Sequence, residues 1–335
     1  MEKINHIEIN NFKSIKHLKV DGFKKINVFI GYPNAGKSNI LEALGLLGMI
    51  DFGEFRINDV VRFNKSKELF FEENIFDKIG ININNALLTI ILSQNKEHYF
   101  SMSSDLRYSF TQSFENDEID LYGDSMHSAD SKLGFDIRKY HFIGNPVKTN
   151  YFDTILKFPF GDNLFELISF DTELRKIVTD FFEKNSLKIL LDRGSSELKV
   201  FKEYLDGTVF TLPYNLIADT LQRLIFYKAA ILSNHKNALL FEEPEAHCFE
   251  PYILEFTNSI KYDKNDNQFF IVTHSDFIIQ EFLRDEESKK NTNIYLVNNV
   301  DGETKVKQLL KEKNEDVYEY GMNPFFNFEN LWETN

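Results

Sequence analysis

GYPNAGKS, residues 31–38, fits the pattern G-x4-G-K-[ST]. Its two glycines let the backbone curl so that successive N–H groups point inward at a single anion. The β-prone run KINVFI at residues 25–30 precedes this stretch, and apolar residues at helical spacing follow it from Ile40 to Ile50. The order strand, glycine turn, helix brings the positive end of a helix dipole to the turn. The stretch therefore predicts a phosphate-binding loop, against the alternative of a glycine turn with a surface lysine.

The polar positions of the loop have separate expected roles. Lys37 is expected to reach the β- and γ-phosphates of a nucleotide, and the Ser38 hydroxyl to ligate Mg²⁺. The implied cofactors are ATP and Mg²⁺, although these motifs do not select adenine over guanine. The predicted nucleotide-binding residues of the loop are Gly31, Asn34, Ala35, Gly36, Lys37 and Ser38.

Two later apolar runs end in polar residues that a phosphate-binding loop requires. ALLF at 238–241 precedes Glu242 and Glu243, and FFIV at 269–272 precedes His274 two positions on. Short apolar runs of this kind predict buried parallel strands, whose carboxyl ends meet where ligands bind. Glu242 is the expected Mg²⁺ ligand with Ser38, while Glu243 polarises the attacking water and His274 contacts the γ-phosphate. Glu243, His274 and Lys37 are thus the predicted catalytic residues, against a solvated acidic turn and a structural histidine.

Composition limits the partners. The chain has 335 residues, with 38 basic against 52 acidic side chains and a net charge of −14, which argues against a surface coated in nucleic acid. The single cysteine, Cys248, excludes an internal disulfide and a multi-cysteine zinc site. No secretory signal and no run of 18 apolar residues is present, so a cytoplasmic protein without a membrane partner is expected. Nucleic acid stays a possible partner that the charge does not indicate.

These motifs together resemble the ABC-type ATPases of the SMC/RecF/OLD class, in particular their compact stand-alone bacterial members. The resemblance covers roughly residues 1–95 and 205–300, and it implies an α/β fold. That fold is an ABC-type P-loop core with a mixed sheet, interrupted by an inserted helical or mixed arm. The matching segments are INNFKS at 9–14, the loop with Asn39 after it, EEPEAH at 242–247 and THS at 273–275.

The resemblance also implies an ATP-dependent homodimer or higher oligomer, in which each nucleotide lies between one phosphate-binding loop and the partner's signature motif. Phe12, Lys13 and Asn39 are implied to contact the nucleotide. Asp219 and Thr220 stand where the class has its signature motif.

The sequence departs from the class in three respects. The usual Ser-Gly of the signature is missing. Asp219 is expected to cap the following helix with Gln222, which leaves Thr220 or the helix N-terminus to contact the γ-phosphate. Glu242 replaces the more usual aspartate. No Q-loop glutamine is identified, since Gln94 reads as a surface residue.

The expected organisation has four parts. Residues 1–95 and 205–300 form the two halves of the ATPase core, 96–204 form an inserted arm, and 301–335 form a hairpin and an aromatic tail. A helix is expected over 164–182 and a hairpin turn at Asp301-Gly302. The tail either docks a separate effector or packs on its own core.

Function follows from what the sequence lacks. There is no long coiled coil and no second acidic cluster of a nuclease type. The sequence therefore predicts an ATPase that dimerises around ATP and acts as a switch for a separately encoded effector, in bacterial anti-phage defence or a toxin-type system. The alternatives are a RecF-like DNA-binding repair ATPase and a nucleotide-binding scaffold that never turns over.

Overall fold

A computed structural model of the chain describes residues 3–49, 57–84, 86–90, 99–103, 107–115, 118–124, 136–144, 153–184 and 187–335. The chain divides into two compact units. The first unit comprises Met1–Lys139, Lys236–Glu243 and Gln268–Asn335, and the second comprises Tyr140–His235 and Pro244–Asn267. The predicted arm, 96–204, is therefore not coextensive with either unit, and Gln94 lies outside the described residues.

The described strands and helices are as follows. The strands are β1 His6–Phe12, β2 Ile15–Asp21, β3 Ile26–Ile30, β4 Ile79–Ile83, β5 Ala86–Ile90, β6 Tyr99–Ser103, β7 Arg107–Glu115, β8 Glu118–Asp124, β9 Ile137–Tyr140, β10 Lys188–Asp192, β11 Glu197–Glu203, β12 Val209–Pro213, β13 Ala238–Glu242, β14 Gln268–Val272, β15 Thr292–Val300 and β16 Glu303–Gln308. The helices are α1 Lys37–Met49, α2 Leu164–Phe170, α3 Thr172–Lys184, α4 Asp219–Ser233, α5 Glu250–Lys261, α6 Asp276–Leu283, α7 Glu286–Asn291, α8 Lys311–Tyr318 and α9 Phe328–Thr334.

A six-stranded mixed sheet with the order β16-β15-β3-β14-β13-β9 forms the centre of the first unit. The strands β13, β14, β3 and β15 run parallel, as predicted for the apolar runs at 238–241 and 269–272. All five residues of β3 and all five of β14 are buried, because strands covered on both faces need apolar side chains on both. The predicted α/β fold with a mixed sheet is confirmed.

The carboxyl ends of three of these strands lie side by side. Glu242 at the end of β13 pairs with Val272 at the end of β14, and Val272 pairs with Phe29 of β3. The glycine loop follows β3 and leads into α1. The three polar segments that the sequence singled out therefore leave the sheet at one edge.

Two antiparallel hairpins also match their sequence patterns. β1 pairs with β2 from His6–Asp21 to Phe12–Ile15, and the pair belongs to a four-stranded sheet of order β2-β1-β4-β5. β15 pairs with β16 through Asp301 and Gly302, whose φ angles of 52° and 85° are those of a two-residue turn with both residues left-handed. The hairpin turn predicted at Asp301-Gly302 is confirmed.

Region 101–132, which has the least core-like composition of the sequence, contains parts of a three-stranded antiparallel sheet of order β6-β7-β8 in its described residues. This sheet belongs to the first unit. In the described part of the chain, no helix combines the length and the apolar character needed to cross a membrane.

The second unit contains a three-stranded antiparallel sheet, β10-β11-β12, and helices α2 to α5. The single helix predicted over 164–182 is wrong, because it is divided at Asp171. The Asp171 carboxylate accepts a hydrogen bond from the Leu174 N–H at 2.9 Å and so caps a new helix. The Asp171 N–H meanwhile bonds to the Leu167 carbonyl at 2.8 Å and closes the preceding helix.

The aromatic tail packs on the first unit. Phe328 and Leu331 are each 1% exposed, whereas Phe326 is 91% exposed. Lys307 Nζ donates to the Trp332 carbonyl at 2.7 Å and lies 4.8 Å from the centre of the indole ring. Phe328 and Leu331 of the tail thus pack on its own core, as one of the two alternatives predicts, and docking of a separate effector stays a prediction.

Candidate nucleotide and magnesium site

The glycine loop packs so closely against β15 and β16 that neither of its two glycines, Gly31 and Gly36, has room for a side chain. A Cβ atom on Gly31 would lie 2.0 Å from the Val297 carbonyl oxygen. Gly36 has a φ of 94°, and a Cβ there would lie 2.0 Å from Thr304 Oγ1. Asn34 has a φ of 62°, a left-handed conformation that asparagine tolerates better than most residues. The two glycines thus let the backbone of the loop approach β15 and β16 more closely than a side chain would allow.

A chain of hydrogen bonds supports the loop from one side. Thr304 Oγ1 donates to the Ala35 carbonyl at 3.0 Å and lies 2.6 Å from Ser14 Oγ. Asn39 Nδ2 donates to Ser14 Oγ at 2.6 Å, so this predicted nucleotide contact is engaged with the protein. The sequence pattern missed Thr304, because a threonine in a hairpin far along the chain gives no signal that it touches this loop.

Lys37 is buried inside the loop, with 5% of its surface exposed. Its Nζ donates to the Gly31 carbonyl at 3.0 Å and to the Tyr32 carbonyl at 2.8 Å. Burial lowers the pKa of Lys37 to about 8, although the charges of Glu243 and Glu242 oppose this. The Lys37 ammonium group therefore lies where the sequence pattern predicts that phosphates bind.

Glu242 and Ser38, the two predicted metal ligands, are brought together by a hydrogen bond between their side chains. Arg62 Nη2 lies 2.8 Å from Glu242 Oε1, and Lys139 Nζ lies 3.3 Å from Oε2. Burial alone would raise the pKa of Glu242, but Lys139, Ser38 and Arg62 together lower it below its ordinary value. The carboxylate is therefore ionised, as metal ligation requires.

The basic partners of Glu242 belong to a wider ionic network. Glu42 of α1 is fully buried and accepts from Lys13 Nζ at 2.5 Å and from Arg62 Nε at 3.1 Å. Lys139 is 5% exposed and also donates to the Val60 carbonyl at 3.0 Å. Arg62 and Lys139 were missed by the sequence reasoning, because no motif marks a basic residue that a neighbouring strand or loop brings to a distant glutamate.

Phe12 and Lys13, which were both predicted to contact the nucleotide, lie in different surroundings. Lys13 joins the network around Glu42, and its Nζ donates also to the Arg62 carbonyl at 2.9 Å. Phe12 is fully buried and pairs with Ile15 in the β1–β2 hairpin. Its side chain packs in the core, and its contact with a nucleotide stays a prediction.

The donor set fits a magnesium ion. A hydroxyl and a carboxylate stand together, and Mg²⁺ commonly binds through one or two protein oxygens while phosphates and water supply the other ligands. The fit for a nucleotide rests on the curled loop, the buried Lys37 and the start of α1 at that lysine.

Glu243 and His274 lie together beside this site. Glu243 Oε1 is 3.5 Å from His274 Nε2, and both side chains are partly exposed. Glu243 has a φ of 45°, a strained conformation of the kind that clusters at functional sites, while its N–H bonds to the Val272 carbonyl at 2.8 Å. Burial and the charge of Lys37 hold the pKa of His274 below its ordinary value, against the pull of Glu243. The imidazole is therefore neutral at pH 7, with one donor and one acceptor nitrogen.

Asp219 and Thr220 belong to the second unit, at the start of α4. The expected capping by Asp219 is wrong: Ala218 occupies the cap position, and the Asp219 carboxylate accepts from Arg223 Nε at 2.6 Å one turn along the helix. The Gln222 amide donates to the Ile217 carbonyl at 2.9 Å instead of completing a capping box. Thr220 Oγ1 donates to the His247 carbonyl at 2.8 Å.

Comparison with known sequences identifies one matching family. Residues 26–280 match the family described as "AAA domain, putative AbiEii toxin, Type IV TA system". An "ATP/GTP phosphatase" of Helicobacter pylori is 24% identical over 347 aligned positions, which cover 87% of this chain and 91% of that protein. The DNA replication and repair protein RecF of Nitrosococcus oceani is 39% identical over 49 residues, which are 15% of this chain and 14% of RecF.

Solved structures with a similar fold are heads of SMC proteins. An SMC head bound to the C-winged helix domain of ScpA aligns with a TM-score of 0.51 at 16% identity, covering 93% of this chain and 99% of that one. An SMC head with an extended coiled coil, from Pyrococcus furiosus, aligns with a TM-score of 0.50 at 15% identity, covering 96% and 99% of the two chains. At these identities the likeness concerns the fold alone.

Proposed function

Because the chain belongs to the AAA domain family matched over residues 26–280, and with it to the ABC-type P-loop ATPases of the SMC/RecF/OLD class, we propose that it is a Mg²⁺-dependent ATPase that dimerises around ATP and switches a separately encoded effector. The single observation that carries the ATPase assignment is the grouping of Lys37, the Ser38–Glu242 pair and the Glu243–His274 pair in one unit. The Helicobacter pylori relative supports nucleotide hydrolysis and leaves ATP and GTP both open.

The chemistry of the proposal assigns one task to each side chain. Lys37 exchanges its two carbonyl partners for phosphate oxygens, which are stronger acceptors because they are charged. Ser38 and Glu242 hold Mg²⁺, which neutralises charge on the β- and γ-phosphates when bound. Glu243 orients water and accepts its proton as the water oxygen bonds to the γ-phosphorus and the bond to the ADP oxygen breaks. His274 donates a hydrogen bond to the γ-phosphate.

Arg62 and Lys139 compensate the negative charge of Glu242 before a metal ion binds. Both oxygens of the carboxylate are paired with cations, so the buried charge is compensated without Mg²⁺. The Arg62 side chain is 68% exposed, so its Nη2 can turn away from Glu242 while Nε stays bonded to Glu42, whereas Lys139 is held by the Val60 carbonyl. In the proposal Glu242 Oε1 is the oxygen released to the metal.

In the proposed dimer, the start of α4 of the partner completes the site. The Asp219 carboxylate is paired with Arg223 at 2.6 Å, so its charge is largely compensated and would repel a γ-phosphate less than a free carboxylate would. The first N–H groups of α4 would donate to phosphate, and the Thr220 hydroxyl would do so only by exchanging the His247 carbonyl for a phosphate oxygen. The effector and its setting in anti-phage defence or a toxin-type system rest on the resemblance of the sequence to stand-alone bacterial members of the class.

The test of the ATPase assignment is phosphate release by the purified chain. With Mg²⁺ and ATP the wild type should turn over, and both EDTA and Lys37→Ala should abolish turnover. Phosphate release that survives both treatments would show that the activity arises elsewhere.

A second candidate, a RecF-like DNA-binding ATPase, rests on the 49 residues that are 39% identical to RecF. It predicts ATP-dependent binding of DNA that weakens steeply with salt, because binding then depends on phosphate contacts. Absence of binding to duplex and single-stranded DNA at low salt, with and without ATP, would reject this candidate.

A further inference from the structure

The end of the chain reaches the glycine loop. Phe328 at the start of α9 is 1% exposed, and its ring centre lies 5.0 Å from that of Tyr32 in the loop. The region that matches the family ends at residue 280, so this contact comes from a part of the chain that the family match does not cover.

A second aromatic contact joins the same segment to His274. The rings of Phe325 and His274 are stacked, with centres 6.3 Å apart and planes inclined by 29°. Together with Gly31, Tyr32, Pro33 and Phe328, these two side chains line a cavity of about 240 Å³ beside the loop. Phe325 therefore lies beside the imidazole in an offset, nearly parallel arrangement, while Nε2 at the edge of the imidazole lies 3.5 Å from Glu243 Oε1.

The position of Phe325 is fixed by its own turn. Asn323 Oδ1 accepts from the N–H of Phe325 at 3.0 Å and from that of Phe326 at 3.1 Å. Asn327 Nδ2 donates to the Asn323 carbonyl at 2.8 Å and closes the turn against α9. The helix is in turn held at its far end, where the Leu310 N–H bonds to Asn335 Oδ1 at 2.7 Å.

We propose that Phe325 is a positioning residue for His274, which it holds edge-on to Glu243 and to the γ-phosphate position. The proposal rests on the proposed function, which gives His274 its task. An imidazole has a broad and shallow preference for its second side-chain torsion, so a fixed aromatic face restricts it where the backbone alone would not. Stacked aromatic pairs favour such offset, nearly parallel arrangements.

The test is a set of substitutions at one turn. Phe325→Leu keeps apolar bulk and removes the flat face, Phe325→Tyr keeps the face, and Phe326→Ala alters the exposed neighbour on the same turn. Each is made in the wild-type and in the His274→Ala background. The measurements are kcat and KM for ATP, the Kd for ATP, the melting temperature and the NMR signal of the His274 ring.

We expect Phe325→Leu to lower kcat roughly 3- to 10-fold, the factor that corresponds to one aromatic pair, with the Kd for ATP changed less than about 2-fold. Phe325→Tyr and Phe326→Ala should behave as the wild type. In the His274→Ala background Phe325→Leu should have no further effect on kcat. The same loss in that background, or wild-type kcat in Phe325→Leu, would overturn the proposal.

The two proposals fail in different ways. A wild type that releases no phosphate removes the proposed function, and the NMR signal then decides the role of Phe325. If Phe325→Leu reduces the shift of the His274 ring signal that Mg²⁺ and ATP induce, positioning is supported. If the induced shift is the same as in the wild type, positioning is rejected.

Discussion

Lys37 shows at the scale of one residue how the site is prepared for phosphate. Its ammonium group donates to two carbonyls, but its burial in the loop lowers its pKa to about 8 from an ordinary value of 10.5. Burial without a carboxylate in direct contact favours the neutral amine. The residue is therefore charged at pH 7 and loses its charge at mildly basic pH.

Affinity for ATP should follow this titration. Binding needs the charged form, so the Kd for ATP should rise about tenfold between pH 7 and pH 9, with the rise beginning near pH 8. Isothermal titration calorimetry of the wild type with a non-hydrolysable ATP analogue measures this directly, because Glu243 itself raises the pKa of Lys37 and has to stay in place. Lys37→Arg is the control, because arginine stays charged throughout and its Kd should not vary with pH. A wild-type loop whose Kd is equally flat would contradict the pKa assignment.

The lowered pKa of Lys37 affects the stability of the fold in the direction opposite to its effect on ATP affinity. The unfolded chain keeps the Lys37 proton up to about pH 10.5, whereas the folded chain releases it near pH 8. The unfolded state therefore binds more protons between these values, so this residue makes the folded state more stable as pH rises through that window.

Gly36 supplies a second prediction at this scale. Gly36→Ala should lower the free energy of unfolding by about 1–3 kcal/mol and abolish ATP binding, because the new Cβ meets Thr304 Oγ1 at 2.0 Å. Urea unfolding and ATP titration are the measurements. Gly302→Ala is the matched control: its φ of 85° is also left-handed, but nothing lies within 4 Å, so ATP binding should persist. Loss of ATP binding in both variants would point to backbone strain as the cause.

At the residue scale, the sequence could predict residues that a motif places and no others. Lys37, Ser38, Glu242, Glu243 and His274 follow strands whose ends meet, so their patterns predicted a common location. Arg62, Lys139 and Thr304 enter through tertiary contacts of a loop, an outer strand and a hairpin. Those contacts leave no local signature, since a single basic or hydroxyl residue is ordinary on any surface.

At the scale of secondary structure elements, apolar runs were good guides and helix boundaries were not. Continuous apolar runs in β13 and β14 predicted buried parallel strands, because only apolar side chains suit a strand covered on both faces. The division between α2 and α3 was missed, since Asp171 reads as one polar residue within a helical pattern until its carboxylate is seen to cap Leu174. Capping by a side chain competes with continuation of the helix, and the spacing of apolar residues gives no sign of this competition.

The aromatic tail gives a prediction at this scale. Phe328→Ala should lower the free energy of unfolding by about 3–5 kcal/mol, because a fully buried ring against Tyr32 is replaced by a cavity. Phe326→Ala, at 91% exposure, should change it by less than about 0.5 kcal/mol. Chemical denaturation distinguishes the two. Equal effects would contradict the packing of the tail on its own core.

At the scale of the whole molecule, the charge of the chain takes on a specific meaning. The net charge of −14 includes Glu42 and Glu242, which are each paired with cations around the proposed metal site. In the proposed function, acidic residues of this kind belong to a site that receives a metal and a nucleotide together. They are no sign of a surface that repels every phosphate.

The most direct test of the account is the size of the Glu243→Gln variant in the presence of ATP. Glutamine keeps the shape of the side chain but cannot accept a proton from water, so ATP should stay bound without turnover. On size-exclusion chromatography with light scattering, the variant should form a dimer with Mg²⁺ and ATP and revert when Mg²⁺ is removed. A variant that releases phosphate at the wild-type rate, or that binds ATP and stays monomeric, would contradict an ATPase that dimerises around its nucleotide.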